Sequence, residues 1–265
     1  MVRVDKWVRG TLAAWEMLID FPLPSGLEEY RRRGCDQFSR LIGFPLLGLA
    51  IGVVLVLVAA FCSAVFNRIA GGIIFALLAT AFLDLKDSGR GVGLLLSLLL
   101  LLKFRRVPFR ESLGALNPEL VQTDSPQLTV LLAVFELLKA LFFFLLCFYG
   151  AKLWLVVILV GAFTVQGTLA MLPDSESGKP FLAISEENHK KIGIAAAVIY
   201  VLLMLAFPVG IIAAGAAVYF IATGFRRYFL HEFGGVTANW ITLAGAITES
   251  VLLLVGILLA LHVGH

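Results

Sequence analysis

Charge is what this sequence has least of. Only 15% of its 265 residues are charged, against 60% that are hydrophobic, and the mean hydropathy is +0.96. A water-soluble domain of this length needs a charged surface, so that class is excluded. Cysteine is also scarce. Three residues do not make a disulfide framework, and no secretory-type leader is followed by a soluble body, which argues against a disulfide-built exported protein. Cys62 and Cys147 fall in apolar runs, where a small buried hydrophobe is the expected role, and Cys35 in a basic segment reads as a free thiol. A formal net charge of +3 is too small for nucleic-acid binding by itself, so no nucleic-acid partner is expected. No internal repeat or low-complexity linker breaks the chain.

Long apolar runs are abundant. They cover Leu41 to Phe66, Ile69 to Leu85, Val92 to Leu102, Leu128 to Tyr149, Lys152 to Leu172, Ile192 to Phe207, Val209 to Thr223 and Trp240 to His262. A helix needs about 20 residues to cross a hydrocarbon layer roughly 30 Å thick. The stretch Val92 to Leu102 reaches only about 16 Å as a helix, so it reads as a half-span or as part of a helix begun in the preceding loop. Ile192 to Thr223 is either one long helix kinked at Pro208 or a hairpin of two short ones. The chain is therefore an all-α polytopic transmembrane bundle whose principal partner is the lipid bilayer. Residues 1–40 form an amino-terminal cytoplasmic or interfacial segment and residues 41–265 the membrane domain.

Basic clusters arbitrate the topology, since Lys and Arg near span ends stay on the cytoplasmic side. They are Arg31 to Arg33 with Arg40; Lys86 and Arg90; Lys103, Arg105, Arg106 and Arg110; Lys179, Lys190 and Lys191; and Arg226 and Arg227. If Val92 to Leu102 turns back and Ile192 to Thr223 crosses twice, every cluster falls on one side. That gives about seven spans plus a half-span, amino terminus inside, in a cytoplasmic (inner) membrane. The rival count of eight puts Lys103 to Arg110 outside. Trp154 and Trp240 then fit an aromatic belt at span ends. Trp7, Leu12, Trp15, Leu18 and Ile19, beside Lys6, Arg9 and Glu16, describe either an interfacial amphipathic helix or one packed on the bundle. Gly48 with Gly52, and Ala213 with Ala217, have the spacing that lets helix backbones approach.

Chemistry is expected where polar residues interrupt the bundle. Asp84, Lys86, Asp87, Ser88, Gly89 and Arg90 place two carboxylates, a hydroxyl and two cations between helices, a composition that suits a phosphate or a carboxylate-bound dication. The plainer alternative is a solvated loop that caps helix ends. Arg226 and Arg227, near the Gly234-Gly235 turn, are candidates to grip a diphosphate, or else ordinary topology anchors. Glu249 lies about ten residues into the last run, where a charge is costly unless paired or functional. Glu136 and Lys139 read as an i, i+3 surface pair.

In their order, several pieces resemble the cobalamin synthases, adenosylcobinamide-GDP ribazoletransferases. These are Phe21-Pro22-Leu23-Pro24; Phe44-Pro45-Leu46-Leu47-Gly48-Leu49 with Gly52; Lys86 to Gly93 before a leucine-rich run ending in Lys103; Pro173 to Phe181; and Gly234-Gly235-Val236-Thr237 with Glu249. The resemblance implies transfer of adenosylcobinamide phosphate from its GDP ester to α-ribazole or its 5′-phosphate, with GMP released, magnesium required, and other cobalamin-assembly enzymes as partners. By that resemblance Asp87 and Glu249 are catalytic and Asp84 and Asp87 hold magnesium. Lys86, Ser88, Arg90, Lys103, Arg226, Arg227, Gly234, Gly235, Thr237 and Asn239 bind substrate.

The chain departs from the family in its acidic residues. Where members carry a three-aspartate ladder after a Gly-Gly pair, alignment on Gly71-Gly72 leaves Ala76, Thr80 and Leu83; if the motif is instead deleted, Asp84 is its remnant. Ala238 and Asn239 replace a Gly-Asp pair, Gly245 and Ala246 replace Asn and Glu, and Gln166 and Ser175 stand where members show arginine. A hard dication takes several oxygen ligands. The sequence therefore supports two expectations: a divergent transferase, or a non-catalytic homologue that keeps the membrane scaffold and binds a cobamide intermediate.

Overall fold

The computed structural model describes residues 2–23, 25–32, 37–86, 89–116, 126–179, 181–182, 190–203, 205 and 208–263. Its regular elements are helices: α1 (Val2–Leu18), α2 (Ser25–Arg32), α3 (Gln37–Val65), α4 (Arg68–Lys86), α5 (Arg90–Leu99), α6 (Phe109–Gly114), α7 (Pro126–Phe148), α8 (Trp154–Ala170), α9 (Lys190–Leu203), α10 (Pro208–Phe233) and α11 (Ala238–Val263). Among the described residues, five helices are long and apolar enough to cross a membrane: α3, α4, α7, α10 and α11. The apolar helices α8 and α9 are shorter, at 17 and 14 residues.

Helix α8 is the axis of the bundle. Every residue from Trp154 to Ala170 except Thr168 is buried, which an even, all-round apolar sequence permits and an amphipathic one does not. Its neighbours approach through glycines. A Cβ on Gly48 would lie 2.6 Å from the Leu159 carbonyl oxygen, one on Gly52 2.7 Å from Val156 Cα, and one on Gly256 2.1 Å from the Trp154 ring. The small-residue spacing read at Gly48 and Gly52 thus marks a true backbone contact. At Ala213 and Ala217 it does not, because the buried face of α10 is Gly210, Ala214 and Val218 and Ala213 is exposed.

Contacts give the helix directions. Gly48 and Gly52 meet Leu159 and Val156, and Gly245 and Gly256 meet Gln166 and Trp154, so α3 and α11 both run antiparallel to α8. Ile192 meets Gly167 while the Tyr200 hydroxyl donates to the Val157 carbonyl at 3.0 Å, so α9 is antiparallel to α8 as well. Gly210 meets Trp154 and Val218 meets Gly161, so α10 runs parallel to α8. The stretch around Pro208 is therefore a hairpin of two helices, with proline at the first position of the second, where its missing N–H costs nothing.

The amino-terminal helix packs on the bundle. Gly10 meets the Ser39 carbonyl and Gly43 meets the Gly10 carbonyl, while Leu12, Ala14 and Ile19 are buried. Of the two readings of this helix, the packed one describes it. Helix α5, ten residues long, continues through a π turn, Leu100–Phe104, toward the short α6. Trp240 Nε1 donates to the Leu113 carbonyl at 3.0 Å, holding α6 against the start of α11. This corrects the aromatic-belt expectation. Trp154 and Trp240 are 1% and 5% exposed, and Trp154 Nε1 donates to the Leu252 carbonyl at 2.8 Å. Both indoles spend their polar edge on interior carbonyls instead of on a membrane surface.

Candidate functional site

Helix α4 ends inside the bundle, and its last turn carries the charge of the site. The spacing of Asp84 and Lys86 sends them to different neighbours. Lys86 Nζ pairs with Glu249 Oε1 of α11, and Lys139 Nζ of α7 pairs with Asp84 Oδ1. Lys139 also lies 3.8 Å from Glu136 Oε2, so the helix-surface pair read from sequence is the lesser of its two contacts. The side chains of Lys86 and Glu249 are 4% and 14% exposed. The ammonium of Lys86 further stands 5.4 Å from the centre of the Phe163 ring, a cation–π arrangement that helps to hold it in an apolar surrounding. A charge removed from water is tolerated on such terms only when it is paired.

The next residues continue the site toward the bundle end. Gly89 adopts φ +73 and its N–H donates to the Asp84 carbonyl at 2.6 Å, a left-handed turn that glycine makes without strain. Arg90 then pairs with Asp20, and the Asp20 N–H donates to the Lys86 carbonyl at 2.7 Å. The segment leading into Phe21-Pro22-Leu23 is thereby tied to the end of α4. Asp87 and Ser88 lie outside the described residues.

A small pocket of about 120 Å³ closes this corner, lined by Leu18, Arg90, Gln166, Phe181, Ala238 and Thr242 among others. Gln166 is 5% exposed, and among the described residues its Oε1 has no hydrogen-bond partner. Gly245 makes room for it, since a Cβ there would sit 2.3 Å from Gln166 Nε2. Sequence reasoning noted Gln166 only as a replaced arginine. Its spacing from Gly245 is readable only in three dimensions.

The Pro173 loop and the Gly-Gly turn dock on each other. The Val236 N–H donates to the Pro173 carbonyl at 2.8 Å and the Ser175 N–H to the Val236 carbonyl at 3.1 Å. Gly234 ends α10 at φ +69, and a Cβ on Gly235 would lie 2.3 Å from the Pro173 oxygen. This pair of glycines thus caps a helix and admits a neighbouring loop. Thr237 Oγ1 accepts the Trp240 N–H at 3.3 Å as the cap of α11, and Asn239 stands in that helix's first turn. Asp174 closes a tight turn: the Ser177 hydroxyl donates to it at 2.7 Å, which together with backbone N–H groups holds its carboxyl below the ordinary 3.8 against the opposing effect of desolvation. Arg226 and Arg227 stand within α10, some two turns or about 10 Å along the helix from the Gly turn. Lys103 is exposed on the π turn.

Metal-ligating groups are sparse in this arrangement. Asp84 meets an ammonium where a dication would need open carboxylate oxygens, and among the described residues no three His, Cys, Asp or Glu side chains come together. Ala76, Thr80 and Leu83 are buried at 3%, 8% and 3% exposure, on the inward face of α4. Beside Leu83 lies a larger cavity of about 270 Å³, between α4, α5, α7, α8 and α11. No family model matches the chain, and no curated protein and no solved structure proves similar to it.

Proposed function

We propose that the chain is a cobalamin-synthase-like membrane protein that crosses the bilayer seven times, amino terminus inside, and holds the nucleotide end of a cobamide intermediate at one end of the bundle. The crossings are α3, α4, α7, α8, α9, α10 and α11, with α5 turning back. One observation carries the reading: the separated segments that bear the resemblance meet. The chain beside Phe21 is bonded to Lys86, Lys86 pairs with Glu249, Arg90 and Phe181 line one pocket with the start of α11, and the Pro173 loop docks on Val236. Segments with no common role have no reason to assemble at one corner. Arg90, paired with Asp20, brings a forked guanidinium there, and Gln166 an amide oxygen without a partner among the described residues, groups suited to phosphate and to a nucleobase edge.

A second reading, the non-catalytic homologue, is favoured by the inward face of α4. Ala76 and Leu83 present hydrocarbon to the bundle interior and Thr80 a hydroxyl without a partner among the described residues. That face supplies no carboxylate to hold a cation against a diphosphate. Both readings are tested by titrating the protein in nanodiscs with adenosylcobinamide-GDP and following GMP release. Saturable binding that weakens about tenfold, or 1.4 kcal/mol, on Arg90→Ala is the expected result, and absence of saturable binding sinks the proposal. Binding without GMP release selects the non-catalytic form; magnesium-dependent release lost on Asp87→Asn selects the transferase.

A further inference from the structure

The 270 Å³ cavity lies deeper than the corner just described and has a different chemistry. Its walls include Leu83, Val92, Leu95, Phe135, Phe142 and Phe143, and its polar lining residues are Glu249, Ser250 and Lys139. Both charged groups are already committed, Glu249 to Lys86 and Lys139 to Asp84. A ligand bringing its own charge inside would have to break one of these pairs and leave a buried charge unpaired. The space therefore favours hydrocarbon. An apolar cavity of about 150 Å³ already stays dry and accepts a benzene ring, so this one has room for a segment of chain.

Its mouth shows where that chain comes from. Leu138 of α7 and Leu254 of α11 line the cavity and are 45% and 49% exposed. They continue into a belt of outward apolar residues, Leu137, Leu141, Leu258 and Leu261, exposed by 70%, 49%, 52% and 40%. On helices of spanning length that belt faces lipid, so the medium at the mouth is acyl chains and not water. An empty apolar void there forfeits dispersion contacts that a chain would restore.

We propose that this cavity takes up one acyl chain of a bilayer phospholipid, entering between α7 and α11, with the head group remaining outside and the Asp84–Lys139 and Lys86–Glu249 pairs closing the inner end. The site is independent of any cobamide chemistry. The test is photocrosslinking in nanodiscs of phosphatidylethanolamine and phosphatidylglycerol doped with a phosphatidylglycerol that carries a diazirine midway along one acyl chain. Adducts are mapped by peptide mass spectrometry. Peptides spanning 135–142 and 246–254 should label several-fold above the equally outward stretch 209–220 of α10. Ala246→Leu with Ser250→Leu, which fill the space, should abolish that excess and leave α10 labelling unchanged. Uniform labelling of all lipid-facing helices, or an excess that survives the filled cavity, overturns the proposal. A diazirine-bearing free fatty acid forms a second arm: cavity labelling by the free acid but not by the phospholipid chain also overturns it. If the double variant does not fold, the wild-type distribution across the peptides decides alone.

Discussion

Lys86 and Glu249 stand 163 residues apart in the chain and form an ion pair inside the bundle. Lys86 ends α4 and Glu249 sits in mid-α11, so the pair joins the end of one helix to the middle of another. With side chains 4% and 14% exposed, neither charge has water to fall back on. Lys86→Met or Glu249→Leu alone should each cost about 3–5 kcal/mol, because each leaves an uncompensated buried charge. The double replacement should recover most of that loss. Thermal unfolding of the four variants in one detergent gives the coupling directly; single losses that simply add in the double variant would show that the two groups act separately.

Glycines at close helix crossings should be intolerant and those on open faces indifferent. A Cβ on Gly48 meets the Leu159 backbone at 2.6 Å, whereas one on Gly224 meets nothing within 4 Å. Gly48→Ala is expected to destabilise by about 1–3 kcal/mol through forced separation of α3 from α8. Gly224→Ala should stabilise by about 0.5–1 kcal/mol, since alanine loses less backbone entropy in a helix. Paired melting curves of the two variants check both signs.

Acid should loosen the turn that Asp174 closes. The Asp174 carboxyl is held below its ordinary 3.8 by the Ser177 hydroxyl and two backbone N–H groups. A depressed folded-state value stabilises the turn above the unfolded value, and that contribution disappears as pH falls through the folded one. Amide exchange at Ser177 and Gly178 should therefore speed up as pH drops below about 3.8, relative to the intrinsic rate. Asp174→Asn should remove this dependence; an unchanged profile in that variant would mean that another group controls the loop.

The proposed seven-crossing topology makes a labelling prediction. With Cys35 replaced by Ser, Glu111→Cys and Ser177→Cys should be shielded from a membrane-impermeant thiol reagent in intact cells, while Asn67→Cys and Tyr149→Cys react. Labelling of both Glu111→Cys and Ser177→Cys from outside, with Tyr149→Cys shielded, would restore the eight-span count.

Much of the architecture was legible in the residues because burial in lipid demands long uncharged helices whatever their arrangement. The runs from Leu41 to Phe66 and from Trp240 to His262 forecast α3 and α11 closely, and Gly48 with Gly52 marked a real crossing. The hairpin at Pro208 and the packed amino-terminal helix were each one of two open readings, since periodicity states which face is apolar and not what covers it. Trp154 and Trp240 misled for the same reason. An indole near a helix start can face a membrane surface or an interior carbonyl, and only the neighbour decides.

The candidate site divides along a similar line. Composition and spacing alone single out Glu249, because charge inside an apolar run is costly enough to need a cause, and Asp84 and Lys86 as part of a polar break between apolar runs. What they do there depends on partners remote in the chain. Lys139 answers Asp84 more closely than it answers Glu136, Glu249 answers Lys86, and Gly245 opens the space that Gln166 occupies. One-dimensional order determines which residues must be compensated. The tertiary structure decides by which groups, because ion pairing and close packing act over a few ångströms of space and ignore the distance along the chain.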